Sequence, residues 1–119
     1  YPDCRPEFYN ALSTAFSIGN WDSQRVSFEL PYIDGDKSTI LKDALRSCEV
    51  LDLDFDEILQ STITSYNPDE LGRSSGKSGS DVERILAFHE IGRVDPIKYV
   101  ESWESVLQNA LRLKNEFGG

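Results

Sequence analysis

The stretch "GRSSGKSGSD", Gly72 to Asp81, carries the residue types most suited to chemistry. Gly76, Lys77 and Ser78 spell the G-K-S ending of a phosphate-binding loop, in which backbone N–H groups cradle phosphate and a lysine neutralises it. The spacing argues against that reading. The pattern needs a glycine five positions before Gly76, where Leu71 stands; Gly72 is one place late. A buried strand must also feed the loop, and "STITSYNPDEL" offers few strand-like positions before Pro68 stops it. A different spacing is regular. Ser75, Ser78 and Asp81 recur every third residue, Ser65 lies ten before Ser75, and Arg84 lies three after Asp81.

Elements that would hold this loop follow from periodicity. "RPEFYNALSTAFSIGN" predicts a helix with Phe8, Ala11, Leu12, Ala15 and Phe16 on one face and Gly19 at its end. "RVSFELPYI" alternates as a strand does, stopped by Pro31, and "STILKDALRSC" returns to helical spacing. The acids of "LDLDFDEILQ" read as a solvated face, with Asp54 capping a short helix over 55–59. Residues 61–79 read as an irregular loop. Ser80 and Glu83 have the form of a capping box opening a helix that Gly92 closes. Asp95 and Pro96 predict the start of a last helix through Ile97, Val100, Trp103, Leu107 and Leu111. From the residues alone the chain is mainly α with one or two short strands, a single domain or fragment over 1–119.

Composition narrows the classes of function. With 12 basic and 21 acidic residues the net charge is −9, which argues against nucleic acid or an anionic membrane as partner. No stretch approaches a membrane span, and no secretory leader opens the chain. Cys4 and Cys48 are the only cysteines, too few for a disulfide framework, so the expected compartment is the cytoplasm. The chain starts at Tyr1 and contains no Met, which reads as a fragment or a processed or trimmed chain. His89 stands without a second histidine and reads as a core-edge or surface residue. Cys4 beside Arg5 has the setting of a reactive thiolate, and equally that of a small residue shaping a turn.

Replacing Ser65, Ser75, Ser78 and Asp81 by cysteine turns the segment into C-Y-N-P-x6-C-G-K-C-x-x-C-x-x-R. That resembles the zinc knuckle of the QueC-like 7-cyano-7-deazaguanine synthases. The opening "YPDCRPEF" is similar to the same family's Tyr-Pro-Asp-Cys-Arg motif, "LPYIDGDK" to its proline-to-lysine segment, and "ERILAFHEIGRVDPIKYV" to its closing R…AF…G…DP…Y. The likeness covers about residues 1–100; the helix of 101–119 is extra. It implies the carboxy-terminal portion of an α/β ATP-pyrophosphatase (HUP-like) fold. It implies an ATP-dependent ligase that turns the carboxylate of 7-carboxy-7-deazaguanine into a nitrile with ammonia. By position, Tyr1, Asp3, Cys4 and Arg5 would lie near the deazapurine substrate and Lys37 near the ATP phosphates.

Two departures qualify the resemblance. The family's ATP-gripping Ser-Gly-Gly-x-Asp-Ser loop does not occur here, so the chain alone should be inactive, and its partner would be a missing amino-terminal half or a second copy. The family's cofactors are ATP and a structural zinc. Serine hydroxyls stay protonated where thiolates bind zinc, so no metal is expected in this chain. Asp81 is no conservative swap for cysteine, and Cys4 and Cys48 remain, so the set reads as natural divergence rather than engineering. The alternative is an inactive relative serving as a binding or assembly module, for instance in a defence or nucleobase-conjugation system.

Overall fold

A computed structural model describes residues 1–117 as two compact units, Tyr1–Gly35 and Asp36 onward. In the first unit a short 3-10 turn, Pro2–Cys4, leads into α1, Pro6–Gly19. Pro6 occupies the first helical position, where its missing N–H costs no hydrogen bond. The Asn20 side chain donates to the Phe16 carbonyl at 3.1 Å, satisfying one of the acceptors the helix end leaves open. No residue of this unit is buried, and Phe16 meets Phe28 edge to face at 5.8 Å.

The predicted strand over residues 25–33 does not form. Residues 26–30 carry no regular secondary structure, because no second strand among the described residues offers them a ladder. Among the described residues, β pairing is limited to one parallel bridge between Ser74 and Tyr99. The fold is thus mostly helical, with fewer strands than alternation in the sequence suggested.

The second unit holds α2 (Lys37–Leu51), α3 (Phe55–Gln60), α4 (Gly79–Glu90) and α5 (Trp103–Phe117). Asp36 caps α2: its carboxylate accepts from the Thr39 N–H at 3.0 Å, and its own N–H donates to the Thr39 hydroxyl at 3.4 Å. Asp54 caps α3 as expected, accepting from the Glu57 N–H at 3.0 Å. α4 lies between α2 and α5 and contributes to two cores. Phe88 and Ala87 join Leu41 and Cys48 of α2 and Phe55 of α3, whereas Ile85 joins Tyr99, Val106 and Ala110. Trp103 packs against both. No helix among the described residues is long and apolar enough to cross a membrane.

Two helix starts differ from expectation. α4 begins at Gly79 with Ser78 as its cap, not Ser80; the Ser78 hydroxyl accepts from the Asp81 N–H at 3.1 Å. Glu83 therefore does not close a capping box; it pairs with Lys37 at 3.0 Å. The last helix begins at Trp103, not at Pro96. The Asp95 carboxylate that would have capped a helix is taken by other partners, and Ser102 caps α5 through the Ser105 N–H at 3.2 Å.

Candidate functional site

The loop between α3 and α4 is fixed by one buried ion pair. Arg84 on α4 meets Asp95 through Nε and Nη2, at 2.6 and 3.0 Å, with side-chain exposures of 7% and 0%. Its remaining donors reach the hydroxyls of Thr62 and Thr64 and the carbonyl of Leu59, at 2.9, 3.2 and 3.2 Å. Every guanidinium N–H thus has an acceptor, which is what a buried arginine requires. Asp95 also accepts from the Ile97 N–H at 3.1 Å and the Tyr99 hydroxyl at 2.7 Å. Burial first, then the neighbouring Asp95 charge, raises the Tyr99 phenol far above its usual range, so Tyr99 stays a donor.

This pair positions the glycine-serine loop. The parallel bridge joins Ser74 to the segment after Asp95: the Val100 N–H donates to the Ser74 carbonyl at 2.9 Å. Gly76 then turns with φ +77 directly against Val106, so that a Cβ there would lie 2.6 Å from Val106 Cγ1. Ser75, Ser78 and Asp81, the knuckle positions read from spacing, come together: Ser75 Oγ lies 3.5 Å from Asp81 Oδ2, and Ser78 Oγ takes the Asp81 N–H. Ser65 has no bond to those three; it accepts from the Asn67 N–H at 3.4 Å, while neighbouring Thr64 accepts at its carbonyl from Ser80 Oγ at 3.3 Å. Upstream, Asp69 receives the Arg73 N–H and Nε at 2.7 and 2.8 Å, and these contacts, the backbone N–H foremost, hold its carboxyl below the usual range.

The opening motif is exposed throughout Tyr1, Asp3, Cys4 and Arg5, and the Cys4 thiol is free. Its shape comes from a tight turn: the Cys4 N–H donates to the Tyr1 carbonyl at 3.1 Å, and Arg5 Nε donates to the Pro2 carbonyl at 3.2 Å. Lys37 belongs to the other unit, at the start of α2. Its ammonium donates to the Ser80 carbonyl at 3.2 Å and to Glu83 at 3.0 Å, tying α2 to the first turns of α4. The acidic run lies on the surface as expected: Asp52, Asp54, Asp56 and Glu57 are exposed, and Asp56 pairs with Arg93 at 3.5 Å. His89 is exposed too.

Sequence reasoning placed Arg84, Asp95 and Tyr99 in a motif but gave them no joint role. The signal was available as an arginine on the helix that opens the closing motif and a D-P-x-x-Y that follows it, three polar groups needing partners once buried.

Comparison with known proteins bears on what this site belongs to. The family model described as queuosine biosynthesis protein QueC matches residues 1–92, and the chain belongs to that family. Among curated relatives, a 7-cyano-7-deazaguanine synthase of Colwellia psychrerythraea is 39% identical over 99 residues, covering 83% of this chain and 40% of the relative. One from Psychromonas ingrahamii is 38% identical over 102 residues, covering 86% and 41%, and one from Methanoregula boonei is 37% identical over 99, covering 83% and 40%. The chain thus spans about 40% of the length of these relatives. No solved structure matches it.

The zinc of the family does not suit the donors present. Three hydroxyls and one carboxylate stand where the resemblance implies four thiolates, and the described residues include no cluster of three or more His, Cys, Asp or Glu able to hold a metal ion. Most of the oxygens also carry hydrogen bonds already: Ser65 and Ser78 accept from backbone N–H groups and Asp81 Oδ2 from the Gly76 N–H at 3.2 Å, which leaves Asp81 Oδ1 alone among the carboxylate oxygens.

Proposed function

We propose that the chain forms the carboxy-terminal part of an ATP-dependent ligase that makes 7-cyano-7-deazaguanine from the 7-carboxy compound. In this reading ATP activates the carboxylate, ammonia displaces the activated group to give an amide, and a second activation removes water to leave the nitrile. The observation that carries the reading is the family match over residues 1–92, which includes the exposed Tyr1–Arg5 motif. Asp3 and Arg5 would supply hydrogen bonds to the deazapurine, and Tyr1 and Cys4 would complete that wall. The Lys37 ammonium has two partners and a side chain about one-third exposed, so a donor is left for an ATP phosphate. The ATP-gripping loop and the parallel sheet of a HUP-like domain would come from an amino-terminal half, on the same protein or on a separate chain, because a second copy of this chain lacks that loop as well.

The test is turnover. The longest protein carrying this stretch is incubated with 7-carboxy-7-deazaguanine, ATP and ammonium, and the nitrile is followed by mass. Turnover is expected there and not from residues 1–119 alone. Arg5→Ala should lower kcat/KM by roughly a hundredfold, the size of one lost charge-assisted contact. The replaced knuckle donors favour a second reading, an inactive binding or assembly module. Absence of nitrile, under conditions where one of the curated relatives is active, selects that second reading.

A further inference from the structure

Although the knuckle positions do not suit zinc, the loop is gathered around one of them. Asp81 sits in the first turn of α4 and is wholly buried. Its Oδ2 accepts from the Gly76 N–H at 3.2 Å and lies 3.5 Å from the Ser75 hydroxyl, while its own N–H donates to Ser78 Oγ. The Lys77 N–H in turn donates to Ser75 Oγ at 3.1 Å. Positions 75, 78 and 81, which a metal would join in the zinc-bearing pattern, are here joined to one another. We infer that the Asp81 carboxylate replaces the metal as the centre that holds the Ser74–Ser78 turn against the second core, leaving the loop metal-independent.

The electrostatics suit the exchange. A zinc ion bound by four thiolates is negative overall, and so is a lone carboxylate; the amino-terminal end of α4 favours either. The carboxylate also delivers its hydrogen bond where it matters most. Gly76 is the residue whose positive φ and contact with Val106 set the turn, and its N–H points to Asp81. A hard cation is not the alternative centre. Asp81 Oδ1 and Ser74 Oγ are buried without protein partners, but one carboxylate oxygen and one hydroxyl fall short of the roughly six oxygens that Mg2+ or Ca2+ gathers.

The inference concerns how the loop is held and stands whether or not the chain takes part in catalysis. The experiment uses the chain of residues 1–119. Metal content is measured on the purified protein, and thermal melts are run with a zinc chelator, then with added Zn2+, Mg2+ or Ca2+. Amide exchange is read by NMR at Gly76, Lys77 and Ile97. The wild type should carry far less than one zinc per chain and melt at the same temperature in every condition. In Asp81→Ala, Gly76 should exchange about tenfold faster or more, the effect of losing one hydrogen bond to a charged acceptor. Ile97, held by Asp95, should be unchanged. Ser75→Ala should expose Lys77 but leave Gly76 protected. Stoichiometric zinc, a melt that falls with chelator, saturable stabilisation by a hard cation, or unaltered Gly76 exchange in Asp81→Ala each overturns the inference. So does loss of Gly76 protection in Ser75→Ala, which would assign the turn to the serine. The wild-type arms stand even if Asp81→Ala does not fold.

Discussion

Replacing Asp95 by asparagine keeps the shape of the side chain and removes its charge, leaving Arg84 buried with no counter-ion. The pair is dry, with 7% exposure on Arg84 and none on Asp95, and Asp95 accepts from Arg84 Nε and Nη2, Ile97 N and Tyr99 Oη. Breaking one partner of such a pair costs about 3–5 kcal/mol, because the surviving charge keeps its desolvation without its attraction. Small domains are stable by roughly 0.05–0.15 kcal/mol per residue, so the loss removes a large part of what holds the unit from Asp36 onward. With a urea slope near 2 kcal/mol/M, the midpoint should fall by about 2 M. Tyr99→Phe removes only the phenol donor and should cost about 1.5–3 kcal/mol. Since both changes act on one carboxylate, the double variant should cost less than the sum by about 1 kcal/mol or more. Equilibrium urea unfolding, followed by far-UV circular dichroism, measures all four proteins. An Asp95→Asn loss under about 1 kcal/mol, or additivity within about 0.5 kcal/mol, would refute the assignment of this network as the anchor of the loop.

Four further outcomes follow from the geometry. Gly76→Ala meets both a positive φ and Val106 at 2.6 Å and should destabilise by about 2–5 kcal/mol. Gly72→Ala shares the φ of +77 but meets nothing within 4 Å, so thermal melts should show it losing only about 1–2 kcal/mol. The Ser38 hydroxyl foremost, then the Thr39 N–H and hydroxyl, lower the Asp36 carboxyl to about 2. A folded value below the ordinary 3.8 means the cap contributes fully above that pH and is lost as pH falls through about 2. An NMR titration should find that midpoint and Ser38→Ala should raise it; an ordinary midpoint in the wild type dismisses the cap as described. Finally, cysteine placed together at positions 65, 75, 78 and 81 should bind one zinc and make the melt chelator-sensitive. Failure to take up zinc in a folded variant would show that the four positions do not converge.

Much of the helical layout was legible because local signals act within a few residues. Pro6, Asp54 and the apolar spacing of α1 and α2 placed those elements without tertiary knowledge. The two misread helix caps share a cause: a polar residue with two possible partners. Asp95 looks like a cap until Arg84 is brought to it from eleven residues away, and Ser80 looks like a cap until its hydroxyl is drawn to Thr64. Residues 26–30 alternate as a strand does, but alternation specifies faces and not a neighbour to pair with. The knuckle spacing was visible for the same reason the helices were, being local. That Asp81 would be wholly buried with the Gly76 N–H on its oxygen was not, since the Gly76 turn lies against Val106 and Tyr99, which arrive from later in the chain.

The two tryptophans occupy opposite environments, and that makes the molecule its own spectroscopic label. Trp21 is 100% exposed, so its emission is already that of an indole in water and changes little on unfolding. Trp103 packs against both cores of the other unit, so its emission shifts red only when that packing is lost. A Trp21→Phe protein would therefore carry one emitter at the seam between two hydrophobic clusters. Whether its red shift coincides with the loss of helix signal would tell, with no added dye, if those clusters come apart together or in turn.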